Sequence, residues 1–308
     1  MSTHTHQVPG RARLRELSRD PTHTQALRER FLRDVRQRFQ AVRGAIRQVA
    51  GYERDRFNLR QNASLASDED IERFPSDAGK TRAFTEWLRE RLRDGILEPV
   101  SRRALRDGEH WTATYVRAAY VSGWEQARER LQNAGVAADE VEDVFRLGVP
   151  QEQLERLYTR AFENLQSVTE DAAPQVRDVL TDGLDEGVNP REMARRLTKE
   201  VRTLQRTRAE VLARTEVINS YSEATLDRYE RAGQSGVIVS GEFATADDDR
   251  VCPLCESIAG TEHGIDEMRD ATFTYEAGES EPDSLGGTYP VRPPVHPQCR
   301  CAILPVIE

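Results

Sequence analysis

Apolar residues recur along the first half of the chain in steps of three and four, the period of an amphipathic helix. Leu27, Phe31, Val35, Phe39, Val42, Ile46 and Val49 form one stripe, close to a heptad repeat. Asp20-Pro21 ahead of it has the form of an N-cap followed by proline at the first helical position. One long helix from Pro21 to Ala50 is expected, with Arg28, Arg30, Arg33, Arg36, Arg38, Arg43 and Arg47 on its other faces. Such a stripe packs inside a bundle or docks on a partner helix, and periodicity does not choose between them. Residues 51–80 are polar and predict a loop. A second helix is expected over Thr81–Leu97 and a third over Ser101–Asn133, ending at Gly135. The third carries Trp111, Tyr115, Tyr120 and Trp124 as core rather than as a base-stacking platform. Two helices should flank Pro174, one before Thr169 and one ending at Gly187. Asn189-Pro190-Arg191-Glu192 is a helix start, with Asn as cap, Pro at the first position and an acid in the first turn. The last long helix should run from Arg206 to Ala232 and stop at Gly233.

The pattern changes after Gly236. Val237-Ile238-Val239 is β-branched and predicts a strand, and Ala246 to Asp249 is turn chemistry. The fold class expected is mainly α: a long-helix N-terminal bundle with a small α+β C-terminal domain stabilised by zinc. Four segments follow: a flexible basic arm over 1–20, a helical region over 21–165, a further helical part over 166–233, and a small β-rich domain over 234–308.

Composition sharpens this picture. Charged residues make up 31% of the 308 residues, above the roughly 25% of an ordinary globular chain. That excess fits solvated helices with narrow apolar stripes. No apolar run approaches the roughly 18 residues of a membrane span, and Met1–Arg15 has no apolar core of a secretory signal. The net charge is −9, unevenly spread: residues 1–60 carry 14 Arg against 6 acids, and residues 240–308 carry 4 Arg against 14 acids. Such asymmetry marks the basic N-terminal arm as a candidate partner-binding segment, although the overall charge argues against general DNA affinity.

Cysteine placement is the most informative feature. All four cysteines, Cys252, Cys255, Cys299 and Cys301, lie in the last 57 residues. A disulfide scaffold would spread them through a short secreted chain, so clustering points to metal binding. Cys252-Pro253-Leu254-Cys255 is one half of a zinc site, and His296-Pro297-Gln298-Cys299-Arg300-Cys301 supplies the other. Five candidate ligands compete for four tetrahedral positions. Cys299 and Cys301 are expected to diverge, leaving one of them beside the metal rather than on it. A thiolate-rich closed site of this kind is structural, not catalytic. A second constellation, Arg214, Thr215, Glu216 and Asn219, precedes it on the last long helix and is expected to join that helix to the cysteine domain.

These motifs occur in a recognisable order. Ala213-Arg214-Thr215-Glu216 with Asn219, then Gly233, Phe243, Asp249 to Cys255, Gly260, Pro293-Pro294 and His296 to Cys301 resemble the phage Mu protein F-like head-morphogenesis family over about residues 170–308. Phe243 stands where that family often has Trp. The resemblance implies a non-enzymatic minor capsid protein of a tailed virus. It would lie in the virion, inside the head or at the portal vertex, with the portal or major capsid protein as partner and no membrane. Two other readings are an ADP-ribosyltransferase-like toxin, suggested by Arg214 with Glu216, and a zinc-ribbon nucleic-acid binder. No nucleotide-binding Gly loop supports the first, and the acidic surroundings of the cysteines oppose the second.

Overall fold

The computed structural model describes residues 20–50, 56, 57, 59, 76–136, 148–237, 239–246 and 248–307. The expected basic arm, up to residue 19, and most of the expected loop over 51–80 lie outside the described residues. The fold is mainly helical with a small C-terminal strand region. The chain forms two compact units, one of residues 1–29, 114–157 and 214–308, the other of residues 30–113 and 158–213.

Helix α1 runs over Gln25–Val49, four residues later than the Asp20-Pro21 signal suggests. Pro21 instead enters a turn in which His23 has φ 52°. Asp20 still caps the helix from a distance: its carboxylate accepts the Gln25 N–H at 2.7 Å and pairs with Arg28 at 2.9 Å. The apolar stripe is core of this chain. Phe31, Phe39 and Ile46 are fully buried, and Leu27, Val35 and Val42 nearly so. The bundle reading of the stripe therefore holds, and no apolar face of α1 is left for a partner helix.

In the unit of residues 30–113 and 158–213, α2 spans Asp77–Leu92 and is capped by Ser76, whose hydroxyl accepts the Gly79 N–H. One π turn, Arg93–Leu97, ends it at Glu98, which has φ 49°. The expected single helix over 101–133 is broken. A short α3, Arg102–Arg106, is capped by Ser101 and stopped by Gly108 at φ 76°, and α4 restarts at Ala113 and runs to Asn133. Buried His110 fills the break. Its Nε2–H donates to the Leu97 carbonyl at 2.5 Å, so its Nδ1 accepts from the Thr112 hydroxyl at 2.7 Å. Burial lowers its pKa and keeps the ring neutral. The two helices expected around Pro174 are one, α5, over Gln151–Asp185. Pro174 removes only its own N–H, and Ala172, Ala173 and Val176 beside it are buried, so packing holds the helix through the proline. Helix α6, Pro190–Leu204, starts as expected, with the Asn189 side chain accepting the Glu192 N–H at 3.0 Å. A second π turn, Gln205–Ala209, joins it to α7, Glu210–Gln234. Gly233 is still helical; the left-handed stop is Gly236, at φ 95°.

In the unit of residues 1–29, 114–157 and 214–308, α4 and α7 lie in close contact. A Cβ on Gly123 would sit 2.3 Å from the Tyr221 carbonyl oxygen and 3.1 Å from the Ala224 Cβ. Strand β1, Val239–Ala244, follows α7 and forms the centre of a three-stranded antiparallel sheet ordered β2, β1, β5, with β2 at Glu262–Gly264 and β5 at Ala302–Ile307. Two short helices, α8 (Pro253–Ser257) and α9 (Ile265–Asp270), precede a hairpin of β3 (Thr272–Tyr275) and β4 (Gly287–Pro290). Val239, Ile265, Met268 and Ile303 pack against Ala127, Leu131, Leu226 and Tyr229 as one core.

The approach at Gly123 carries the first prediction. Gly123→Ala should destabilise the protein by about 1–3 kcal/mol, because a backbone carbonyl blocks the new methyl and cannot swing aside. Urea unfolding followed by circular dichroism measures it. An unchanged midpoint would show that the two helices stand further apart.

Candidate metal centre

Antiparallel pairing of β1 with β5 brings the two cysteine segments together. The register sets Ala244 opposite Ala302, so the chain leaving β1 toward Cys252 runs beside the chain entering β5 from Cys301. Each segment then makes its own tight turn. Cys252 is the N-cap of α8, with Pro253 at the first helical position, and its sulfur accepts the Cys255 N–H at 3.4 Å. In the other segment the Cys299 N–H closes on the His296 carbonyl at 3.1 Å, and Gln298 takes φ 69° at the corner.

Five donor side chains converge as a result. His296 Nε2 lies 3.2 Å from Cys252 Sγ and 3.2 Å from Cys255 Sγ, and Cys255 Sγ lies 3.9 Å from Cys299 Sγ. Cys252, Cys255 and His296 form one group whose donor atoms all lie within 4.8 Å of each other, and Cys255, Cys299 and Cys301 form a second. Cys255 belongs to both. Cys299 and Cys301 do not diverge: residues two apart in an extended segment share a face, and Arg300 between them is the one that turns away. The His296 tautomer is fixed by its backbone. Nδ1 lies 2.7 Å from the Pro297 carbonyl, which has no proton to give, so Nδ1 carries the hydrogen and Nε2 offers its lone pair to the thiols.

The surroundings suit a soft cation. Cys255, Cys299 and Cys301 are at most 3% exposed. Hydrogen bonds from the Cys255 and Cys301 thiols hold the Cys299 thiol well below its usual range, and the contact with Cys299 pushes Cys255 up. A divalent cation among these adjacent thiols would let all of them ionise. Tetrahedral zinc with Zn–S of about 2.3 Å and Zn–N of about 2.0 Å sets its ligands roughly 3.5–3.8 Å apart. The 3.2–3.9 Å separations bracket that range. The donors line a small cavity of about 40 Å³, room for an ion rather than a substrate. Phe243, Leu254, Ile258 and Val295 enclose the sulfurs on the core side.

Charged groups outside the sulfurs fix the two loops. Arg300 grips Asp248 through both terminal nitrogens at 2.8 and 2.7 Å, and Arg250 adds a third contact at 2.8 Å. Hydrogen bonds from Arg300 and then Arg250 hold the Asp248 carboxyl well below the usual carboxylate range. Arg214 on α7 donates to the Gln298 side chain at 2.6 Å, and the Thr215 hydroxyl accepts the Gln298 N–H at 3.4 Å. Glu216 and Asn219, further along α7, are buried, each 2% exposed.

Sequence reasoning missed the acids further along α7. Glu223, Asp227 and Glu230 lie within 2.6–3.2 Å of Arg269 on α9, Glu223 also meets Arg292 at 2.8 Å, and the Tyr120 hydroxyl donates to Asp227. Their spacing of four and three was the available signal: it places three acids on one helix face.

Residues 174–304 are similar to the family model described as Phage Mu protein F like protein. That stretch contains Arg214 to Asn219 and every cysteine. No curated protein and no solved structure matches the chain. No helix among the described residues is long and apolar enough to cross a membrane.

Asp248→Asn should lower the thermal midpoint by a few degrees at pH 7. The folded pKa of Asp248 lies below its unfolded value of about 3.8, so its contribution is present above that value and lost as pH falls through the folded pKa. Melts of both proteins from pH 7 to pH 2 should therefore differ by a constant amount down to about pH 4 and by progressively less below it. A constant difference across that range would mean that the carboxylate charge is not what matters.

Proposed function

We propose that the chain is a structural head-morphogenesis protein of a tailed virus, a minor capsid component associated with the portal or inner capsid. The observation that carries this reading is the family match over residues 174–304, which coincides with the Cys/His knuckle and the helix that feeds it. The knuckle has the character of a clamp rather than a reaction centre. Its donors are mainly sulfur, they outnumber the four positions of a tetrahedral ion, and the cavity has no space for a substrate.

Cys252, Cys255 and His296 form one ligand group, and Cys299 is favoured over Cys301 as the fourth ligand because its sulfur lies 3.9 Å from that of Cys255. Bound zinc would supply folding energy to a region whose remaining core is small. The ion would join the turn after β1 to the turn before β5, and Asp248–Arg300 and Gln298 would keep those turns aligned. The basic N-terminal arm up to residue 20 is a candidate contact for packaged DNA, and the virion is the expected location.

Two measurements test the proposal. Elemental analysis of the reduced full-length protein should find about one zinc per chain, and Cys255→Ser should lose it while Cys301→Ser retains most. No metal in either the parent or the variants would refute the clamp. Quantitative mass spectrometry of purified heads should find the chain at a few copies per particle. Its absence from heads, with the protein abundant in the infected cell, would refute the capsid role.

A further inference from the structure

Within the unit of residues 30–113 and 158–213, some positive charge has no neutralising carboxylate among the described residues. Most surface arginines here have an acid: Arg36 pairs with Glu210, Arg195 and Arg196 with Glu192, and Arg208 with Asp171. Arg43 and Arg47 on α1 and Arg202 on α6 do not. Among the described residues, no carboxylate lies within ion-pair distance of any of the three. They stand close enough for Arg202 and Arg47 both to depress the Arg43 pKa, after burial itself, with no acid opposing them. Arg43 Nε is buried and makes no hydrogen bond. A guanidinium has five donors and no acceptor, so a buried unused donor beside two like charges is a cost with no internal return.

The same surface has room for what is missing. A cleft of about 270 Å³ is lined by Arg47 of α1 and by Ala194, Arg195 and Thr198 of α6. Lys199, Arg202 and Arg206 continue along the exposed side of α6 and the π turn at steps of three and four. No aromatic ring lines the cleft to stack on a base or a sugar. The chemistry offered is planar, multidentate donation to tetrahedral oxyanions, repeated along a helix face, with no element that reads sequence.

We propose that Arg47 in this cleft, with Arg43 one turn before it on α1 and Arg202 one turn beyond Thr198 on α6, binds the phosphodiester backbone of double-stranded DNA without sequence preference. A duplex presents its phosphates in a regular row, and three arginines with the flanking Lys199 and Arg206 match a row better than a single ion. The site does not depend on the metal clamp or on the basic N-terminal arm.

Fluorescence anisotropy with a 30-base-pair duplex and the full-length protein tests this. The double variant Arg47→Gln/Arg202→Gln removes two exposed charges and should fold normally. Its affinity should fall about 10-fold at low salt, and the slope of log K against log salt should drop by about 2. Arg30→Gln/Arg33→Gln makes the same charge change elsewhere on α1 and should leave both quantities nearly unchanged. Equal losses in the two variants would overturn the cleft, reducing the effect to net charge. Inorganic phosphate at millimolar concentration should compete only weakly, because it supplies one contact of the row. Polyglutamate that displaces the duplex at equal charge concentration would overturn the proposal in favour of an acidic protein partner. Zinc content and head incorporation should match the parent in the double variant, so this test and those of the capsid reading fail independently.

Discussion

One stretch of α7 is buried at every residue, and the unit that holds the cysteines is built on it. From Glu216 to Leu226 every residue is buried, yet the sequence there includes Glu216, Asn219, Ser220, Ser222, Glu223 and Thr225. A helix covered on all sides cannot leave polar groups to water, so the protein must supply each partner. Ser220 and Thr225 return their hydroxyls to the carbonyls of Glu216 and Tyr221 at 2.8 and 3.0 Å. Glu223 and Asp227 draw in Arg269, and Glu223 also draws in Arg292. Fully buried Arg228 lies with its guanidinium carbon 4.4 Å from the Trp124 ring centre, and burial lowers its pKa to about 10. Gly123 lets α4 come within backbone contact of the same helix. Each neighbour of α7 is thus specified twice, once by shape and once by a polar demand that only one partner meets.

The metal clamp inherits its position from this helix. Arg214 and Thr215, in the part of α7 just before the buried stretch, hold Gln298 in a left-handed conformation that costs an L-residue about 1–2 kcal/mol. At the other end, Gly236 turns the chain into β1, and β1 pairs with β5 along its whole length. The two cysteine segments, 44 residues apart in sequence, are therefore aligned by backbone hydrogen bonds and by α7 before any cation is considered. A site arranged this way pays little ordering entropy on binding an ion. It also explains why five donors converge: Cys299 and Cys301 lie on the segment that enters β5, and the α8 cap places Cys252 and Cys255.

Local chemistry made much of this legible. Asn189-Pro190 starts a helix as expected, the α1 stripe is core, and the cysteine spacing announced a shared cluster. The errors arise where a distant partner overrides a local signal. Pro174 reads as a break, but buried alanines around it carry α5 through. Ser101 and Gly108 split a helix that aromatic periodicity joins, because His110 and Thr112 find better partners outside helical geometry. Gly233 looked like a stop, yet the left-handed position was needed three residues later, where the chain turns into the strand. Glu216 and Asn219 were grouped with Arg214 by spacing alone, and spacing cannot distinguish a surface contact from a buried one a turn away. The acids of α7 were legible as a stripe but not as a network, since Arg269 and Arg292 lie about 40 and 70 residues downstream.

Net charge is a poor guide to what such a chain meets. A formal charge of −9 describes the field many Debye lengths away, whereas at physiological salt that length is about 8 Å. Within that distance the controlling fact is whether each arginine has its own carboxylate. In the metal-bearing unit nearly every arginine near the site does: Arg300 and Arg250 share Asp248, Arg28 has Asp20, and Arg269 has three acids. Those pairs hold loops and helices in register and leave little field for a partner. Among the described residues, Arg43, Arg47 and Arg202 have no carboxylate of their own. A chain that is acidic overall can therefore hold its own loops together with one set of arginines and keep another set available. The distinction lies in pairing, which folding decides, and not in composition.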